Sequence, residues 1–343
     1  MARPTIRDIA ETVGVSPTAV SFALNSKPGI SEATRARILK TAKTMGWVPN
    51  QHARALSKSR ADAVGLYIAR PQRSINTETF FFKFILGVES GLTEYELDLV
   101  LRSGHNVAEE VETYHRWYGQ GRVDGVIVVD PRIDDPRVEV LKELRIPAVF
   151  VGHEFAGFSA ITIDEGDVMH AILSHLLARG AHRVAYVSGM ADLFHTAERA
   201  EALRYEAGRA GIEAVVSGGT DATEQAGFAT TIRLLSAARR PDAIIFDNEV
   251  LALGGLEALR RHDLKIGQDV LVVSYEDSLI SRVVTPPLTA VSRDPGLLGT
   301  KAAQILARGI DTGTTHTQAQ AGGTLVIRDS TAGYVSPASA RSA

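Results

Sequence analysis

The stretch that most constrains this chain is Thr5 to Asn25, TIRDIAETVGVSPTAVSFALN, at its N-terminal end. Thr5 can cap a first helix whose apolar residues Ile6, Ile9, Ala10 and Val13 share one face at helical spacing. Gly14 supplies the backbone freedom for a tight turn, and Val15 can drop between two helices. Ser16 reads as an N-cap and Pro17 as the first helical residue, where a missing N–H costs nothing. In that second helix Ala19, Val20 and Ala23 can pack on the first, which leaves Pro17, Thr18, Ser21, Phe22 and Asn25 pointing outward. Two short helices, a glycine turn and an exposed polar face make a helix-turn-helix. Taken alone, the pattern also suits an ordinary helical hairpin at a domain edge.

Charge separates the chain into a head and a body. The net charge is −3, which looks wrong for a DNA binder. Residues 1–60, however, hold ten Lys/Arg against only Asp8, Glu11 and Glu32, an excess of seven positive charges that leaves the remainder at −10. A small basic head on a larger acidic body is what phosphate binding requires, although a basic face can also be merely solvated. At 343 residues the chain can hold two or three cores. It has no cysteine, which excludes disulfides and thiolate chemistry. No N-terminal signal core and no run of membrane-spanning length is present, so a cytoplasmic location with no membrane partner is expected.

After Lys27-Pro28-Gly29, Ser31 caps a third helix from Glu32 to about Met45 whose stripe of Ile38, Leu39, Ala42 and Met45 closes a three-helix core with Trp47. Asn50 to Arg60 has helix-forming composition but is too short to be stable alone, and reads otherwise as a plain linker. From Ala63 the period changes. Short β-rich runs (Val64–Ala69, Leu97–Arg102, Val123–Asp130, Ala148–Val151, Ile161–Asp164, Val184–Ser188, Ala243–Phe246, Val270–Tyr275) alternate with amphipathic segments such as Phe81–Tyr95, Val107–Gln120, Val168–Arg179, Glu198–Ala210 and Glu249–Arg261. This alternation predicts a doubly wound parallel α/β body with a crevice at the carboxyl ends of its strands.

The head motifs are specific. T-I-R-D-I-A-x-x-x-G-V-S-x-x-x-V-S, S-x-x-T-R from Ser31 to Arg35, and P-N-x-x-A-R-x-L from Pro49 to Leu56 resemble the lactose-repressor/galactose-repressor family. The likeness continues through Gly121–Val128, Arg199–Ile212, Asp247–Gly254, Ser274–Ser278, Pro286–Val291 and Leu325–Ser330. It implies a helix-turn-helix domain at 1–48, a hinge at 49–61 and an effector-binding, dimerising body at 62–343. The body would resemble periplasmic sugar-binding proteins: lobe 1 at about 62–162 and 293–325, lobe 2 at about 163–292 and 326–343. Crossovers are expected near Ile161–Asp164, Val291–Asp294 and Thr324–Arg328. Double-stranded DNA would be read in the major groove by Pro17, Thr18 and Phe22, with Thr5, Ser16, Ser21, Asn25, Ser31 and Thr34 on phosphates. Asn50 to Lys58 would order on DNA, with Ala53 allowing close approach and Leu56 wedging into the central base step of a near-palindromic operator. Phe22 departs from the polar or basic residue of several members and can offer only apolar contact, for instance to a thymine methyl.

The resemblance assigns effector contacts to Arg199, Asn248, Glu276 and Asp164, and makes a carbohydrate the expected ligand, with a nucleobase as the other possibility. His153 and His195 are further candidates for the cleft, and Phe80 to Phe82 could stack on a sugar face or simply belong to the core. Asp130, Asp134 and Asp135 lie in a Pro-punctuated loop and read as solvated acids rather than a metal site. No G-x-S-x-G, H-E-x-x-H, C-x-x-C or Walker-type loop occurs, so neither enzyme activity nor a cofactor is expected. The Pro- and Ser-containing tail after Gly333 has no heptad, which points to a homodimer rather than a tetramer. The function implied is a sequence-specific transcriptional regulator, a repressor, whose operator affinity a small molecule controls. The alternative is a sugar-binding sensor with only nonspecific DNA binding.

Overall fold

The computed structural model describes residues 4–47, 60–70 and 79–332. They form two compact units, Met1–Ala61 and Asp62–Ala343.

In the first unit, α1 (Ile6–Val13), α2 (Pro17–Leu24) and α3 (Glu32–Thr44) pack around Ile9, Val13, Val20, Ala23, Ile38 and Ala42. Each helix starts at the hydroxyl the sequence offers. Thr5 Oγ1 accepts from the Asp8 N–H while Asp8 Oδ2 accepts from the Thr5 N–H, a reciprocal capping box. Ser16 accepts from the Ala19 N–H, with Pro17 at N1, and Ser31 accepts from the Thr34 N–H. Each such cap is worth roughly 1 kcal/mol. Gly14 closes α1 in the left-handed region at φ 74°, where a Cβ would be strained. Two arginines hold the helix ends together: Arg37 donates to the Val13 carbonyl at 2.8 Å, and Arg35 donates to those of Phe22, Ala23 and Lys27. Leu39, expected in the apolar stripe of α3, is 45% exposed, because Ile38 and Ala42 already fill that face.

The second unit contains two six-stranded sheets of the same order. The first runs β11 (Thr317–Ala321), β5 (Ser159–Asp164), β4 (Ala148–Gly152), β3 (Gly125–Val128), β1 (Ala63–Ala69), β2 (Asp98–Gly104), parallel throughout. The second runs β12 (Thr324–Val326), β10 (Thr289–Ser292), β9 (Leu271–Ser274), β8 (Ala243–Phe246), β6 (Arg183–Val187), β7 (Glu213–Val216), parallel except for β10 against β12. Helices cover both faces of each sheet. On the first lie α4 (Thr79–Thr93) and α12 (Pro295–Thr312), opposite α5 (Val107–Gln120) and α6 (Pro136–Leu144). On the second lie α7 (Glu165–Ala178) and α8 (Phe194–Ala210), opposite α9 (Glu224–Leu235) and α10 (Glu249–Arg261). Two further short helices lie among the described residues, α11 (Leu279–Val283) and α13 (Asp329–Ala332). Burial on both faces explains why β1, β3, β8 and β9 are continuous apolar runs.

The chain passes between the sheets three times: from β5 into α7, from β10 into α12, and from β11 to β12 through Gly322-Gly323. The third passage lies slightly before the Thr324–Arg328 expected, because the antiparallel strand beside β10 starts at Thr324. The passages touch. A Cβ on Gly322 would sit 2.2 Å from the Asp164 carbonyl oxygen, and one on Gly323 would sit 2.8 Å from that of Ser292.

Glycine also sets the helix pairs. A Cβ on Gly87 of α4 would lie 1.9 Å from the Gly296 carbonyl oxygen, at the start of α12, and one on Gly254 of α10 an equal 1.9 Å from that of Glu224, in α9. By contrast Gly208, inside α8, has nothing within 4 Å. Gly87→Ala is therefore expected to destabilise the body by roughly 1–3 kcal/mol or more, because the obstacle is backbone. Gly208→Ala should stabilise it by about 0.4–1 kcal/mol. Urea midpoints of the two variants test both; equal effects of one sign would refute the close-packing account.

Candidate functional site

In the head, Pro17, Thr18 and Asn25 are exposed on α2, while Ser21 and Phe22 are half-buried. The Phe22 ring lies against Gly29, where an added Cβ would meet it at 3.3 Å, so the loop after α2 holds the ring. Thr5, Ser16 and Ser31 are exposed caps, Thr34 bonds Ser31 at 2.9 Å, and Asn25 donates to the Ser21 carbonyl at 2.9 Å. Asn50, Ala53 and Leu56 lie outside the described residues.

In the body, the sheet order fixes where a ligand can go. In each sheet the first strand is flanked by the second and third, so successive crossovers diverge between β1 and β3 and between β6 and β8. A crevice opens at the carboxyl ends of the strands at such a point. A cavity lies there, lined from both lobes. Arg70 and Asp130 follow β1 and β3, and Gly152 ends β4; Asp247, Asn248 and Glu276 follow β8 and β9. The lobes meet beside it. The Ile133 N–H donates to the Asp192 carbonyl at 2.9 Å, and the Phe194 N–H to that of Pro131 at 3.0 Å. Arg132 pairs with Asp192 in the same place.

Of the four effector contacts read from sequence, Arg199, Asn248 and Glu276 line this cavity. Asp164 does not. Its carboxylate caps α7 through the Asp167 N–H at 3.1 Å and is exposed, and the next residue, Glu165, forms the wall instead. The two histidines divide as well. His195 lines the cavity, whereas His153 stacks on the Phe194 ring at 3.6 Å beside it. The three phenylalanines divide two to one: half-buried Phe80 and buried Phe81 both line the cavity and pack in the core, whereas Phe82 is 67% exposed. The loop acids are not solvated as a group. Asp130 pairs with Arg70 at 2.6 Å and Asp135 with buried Arg137 at 2.6 Å, leaving only Asp134 exposed. Arg137 also donates to buried Glu110 and to the Val129 and Asp130 carbonyls, which fixes the end of β3.

The electrostatics centre on Arg199, which donates to both oxygens of Glu165 at 2.9–3.0 Å and to Asp247 at 2.8 Å, and lies 4.0 Å over the Tyr275 ring. Burial works against the charge of Glu165, but Arg199 and Arg293 hold its pKa well below the carboxylate range. Asp247 is lowered too, burial being outweighed by Arg199. Burial and the neighbouring Arg199 push His195 down to about 4, so it is neutral at pH 7. Other acids shift the opposite way. Burial, reinforced by Glu165, lifts Glu198 to about 7; burial, with Glu249 adding to it, lifts Glu276 to about 8. Sequence reasoning missed Arg70, Glu165, Glu249 and Arg293. Glu165 and Glu249 each follow the N-cap of a helix at a strand's carboxyl end, a position readable once the strand is placed.

Known proteins resemble both units. Residues 5–50 match "Bacterial regulatory proteins, lacI family", and residues 173–331 match "Periplasmic binding protein-like domain". The HTH-type transcriptional regulator CelR of Thermobifida fusca is 31% identical over 321 residues, 92% of this chain and 94% of that protein. The ribose operon repressor of Escherichia coli is 27% identical, over 92% of this chain and 95% of its own. The structure of a CelR–cellobiose complex superimposes with a TM-score of 0.73 at 29% identity, over 96% of this chain and all of that one. The lac repressor dimer bound to operator and an anti-inducer reaches 0.85 at 23% identity, over 96% and 99%, a likeness of fold.

One consequence of the cavity's acids is testable without a ligand. Glu276 titrates near 8 when folded, against about 4.3 in an unfolded chain. The native state therefore holds the extra proton between those values, and stability falls as pH rises through them. Glu276→Gln is expected to flatten that decline and to raise the body's unfolding free energy at pH 8 by at least ~1 kcal/mol. A pH profile unchanged from wild type would remove the buried-acid account.

Proposed function

We propose that this chain, which belongs to the lacI family of bacterial regulatory proteins, represses transcription as a homodimer on a near-palindromic operator, under control of a polyol held between its lobes. That it is a DNA-binding transcriptional regulator follows from the family; the dimer, the operator symmetry and the ligand are the proposal. The observation that carries it is the presence in one chain of an exposed reader face, Pro17 and Thr18 on α2, and of a cavity in the body that draws on both lobes. Pro17, Thr18 and Phe22 would meet base edges, and Thr5, Ser16, Ser21, Asn25, Ser31 and Thr34 would meet phosphates. Asn50, Ala53 and Leu56 would act in the minor groove.

In the body, Arg199, Asn248 and Glu276 would meet the ligand, with Glu165 taking the part read from sequence for Asp164. Arg199 already spends most of its donors on Glu165 and Asp247, so the cavity offers poor terms to a carboxylate and better ones to hydroxyls. The structure of a relative in complex with cellobiose supports a carbohydrate. Dimerisation is supported by apolar pairs one helical turn apart in both lobes: Phe82 and Leu86 on α4, and Leu279 and Val283 on α11, all more than half exposed.

Selection of operator sequences from random duplex with the purified protein, at stated salt, is the test. Enrichment of a palindrome, bound at least about a thousandfold more tightly than unrelated duplex, is expected. Enrichment of none would favour a sensor that binds DNA without reading it. Leu56→Ala should cut operator affinity and reduce bending, and an unchanged bend angle would refute the wedge. Phe82→Glu with Leu86→Glu should shift sedimentation toward the monomer and lower operator affinity together; a dimer that survives both would place the interface elsewhere.

A further inference from the structure

Phe22 is the one aromatic side chain of α2, and the head core is built without it. Among the described residues, neither the buried core of the head nor the half-buried apolar residues packed on it include Phe22. Its place on the helix is the reader strip. Thr18 stands one turn before it and Asn25 one turn after, both exposed, so the ring lies in the middle of an outward-facing row.

What holds the ring there is a glycine. Gly29, exposed in the loop between α2 and α3, has φ at 115°, a conformation that L side chains rarely adopt. A Cβ at that position would meet Cδ2 and Cε2 of Phe22 at 3.3 Å. The loop itself is tied down. The Lys27 N–H donates to the Phe22 carbonyl at 2.9 Å, and Arg35 of α3 donates to the carbonyls of Phe22, Ala23 and Lys27 at 2.8–3.4 Å. The ring therefore rests on a glycine in a fixed loop, and its place is set before DNA arrives. A phenyl ring offers no donor or acceptor to a base edge. What it can recognise in the major groove is the one apolar group presented there, the 5-methyl group of a pyrimidine.

We propose that Phe22, propped by Gly29, reads a pyrimidine 5-methyl group in each operator half-site. Thymine is accepted at that position and uracil is not, and a cytosine there gains affinity when it is methylated at the same carbon. Gly29 is a positioning residue, since any side chain at 29 displaces the ring from its place. This rests on the reading of α2 as the helix that enters the major groove, and names what one of its residues recognises. Operator choice then responds to cytosine methylation as well as to sequence.

The test uses the full chain and the operator recovered by selection, with affinities measured by fluorescence anisotropy at fixed salt. Each thymine is replaced in turn by uracil, at symmetric positions in both half-sites, so that only a methyl group is lost. One pair of positions is expected to lose about fifteenfold in affinity, from about fourfold per half-site for one buried methyl group. At that pair, 5-methylcytosine should bind about fifteenfold more tightly than cytosine. Phe22→Ala should bring both ratios to within about twofold, whatever its overall affinity. Gly29→Ala, with the ring intact but displaced, should bring them below about fivefold; thermal unfolding shows whether each variant folds, and the wild-type ratios decide without them. An operator indifferent to uracil at every thymine overturns the methyl contact and leaves the repressor reading in place. A ratio that persists in folded Phe22→Ala assigns the methyl group to another residue and overturns it too. Selection that enriches no sequence overturns both readings.

Discussion

The body depends on the guanidinium of Arg199. It comes from α8, grips Glu165 at the first residue of α7 and Asp247 at the end of β8, and lies on the Tyr275 ring at the end of β9. Glu165 in turn accepts from Arg293, at the second passage between the sheets. A buried carboxylate without a partner would take up a proton or disrupt its surroundings, and breaking such a network by removing one member costs about 3–5 kcal/mol. With Arg199 in place, two acids stay charged at the floor of the cavity and the strand ends around them keep one arrangement. The cavity is thus organised before any ligand arrives, and a ligand need not supply the free energy of ordering it.

What could be read in the sequence was what is local. The caps at Thr5, Ser16 and Ser31 are set by a hydroxyl three residues from the N–H it accepts from, and each forms in the structure. The strand–helix alternation is a pattern of burial, and it predicts the parallel sheets because buried strands read as apolar runs. The polar edge strand Thr317–Ala321 alternates between exposed and half-buried, and carries no such signal. The partners of Arg35 and Arg37 are equally hidden, since helix-end carbonyls 8 to 24 residues away leave no trace in composition.

Part of the cavity was legible: Arg199, Asn248 and Glu276 line it, while Arg70, Glu165, Glu249 and Arg293 were not foreseen. At the start of α7 the first acid, Asp164, turns back over its own helix as a cap, which frees only the second, Glu165, to reach Arg199. Three adjacent phenylalanines could not share one role, because successive helical side chains point about 100° apart. Phe80 and Phe81 therefore turn inward, both reaching the cavity wall, and Phe82 turns to solvent. The pairing of Asp130 with Arg70 links residues 60 apart and needed the sheet order to be seen.

Control by a ligand requires two states that the ligand binds unequally. Any motion between the lobes has to pass through three chain passages packed so closely that Gly322 and Gly323 have no room for a Cβ. Independent sliding of the passages would drive carbonyl oxygens into one another, which leaves rotation about them as the available movement. Glu165 and Arg293 sit at two of those passages and also line the cavity. A ligand that touches them bears directly on the axis of rotation. Under the proposed effector reading, the same two residues would meet the ligand and bear on lobe angle, so coupling would need no longer path through the body.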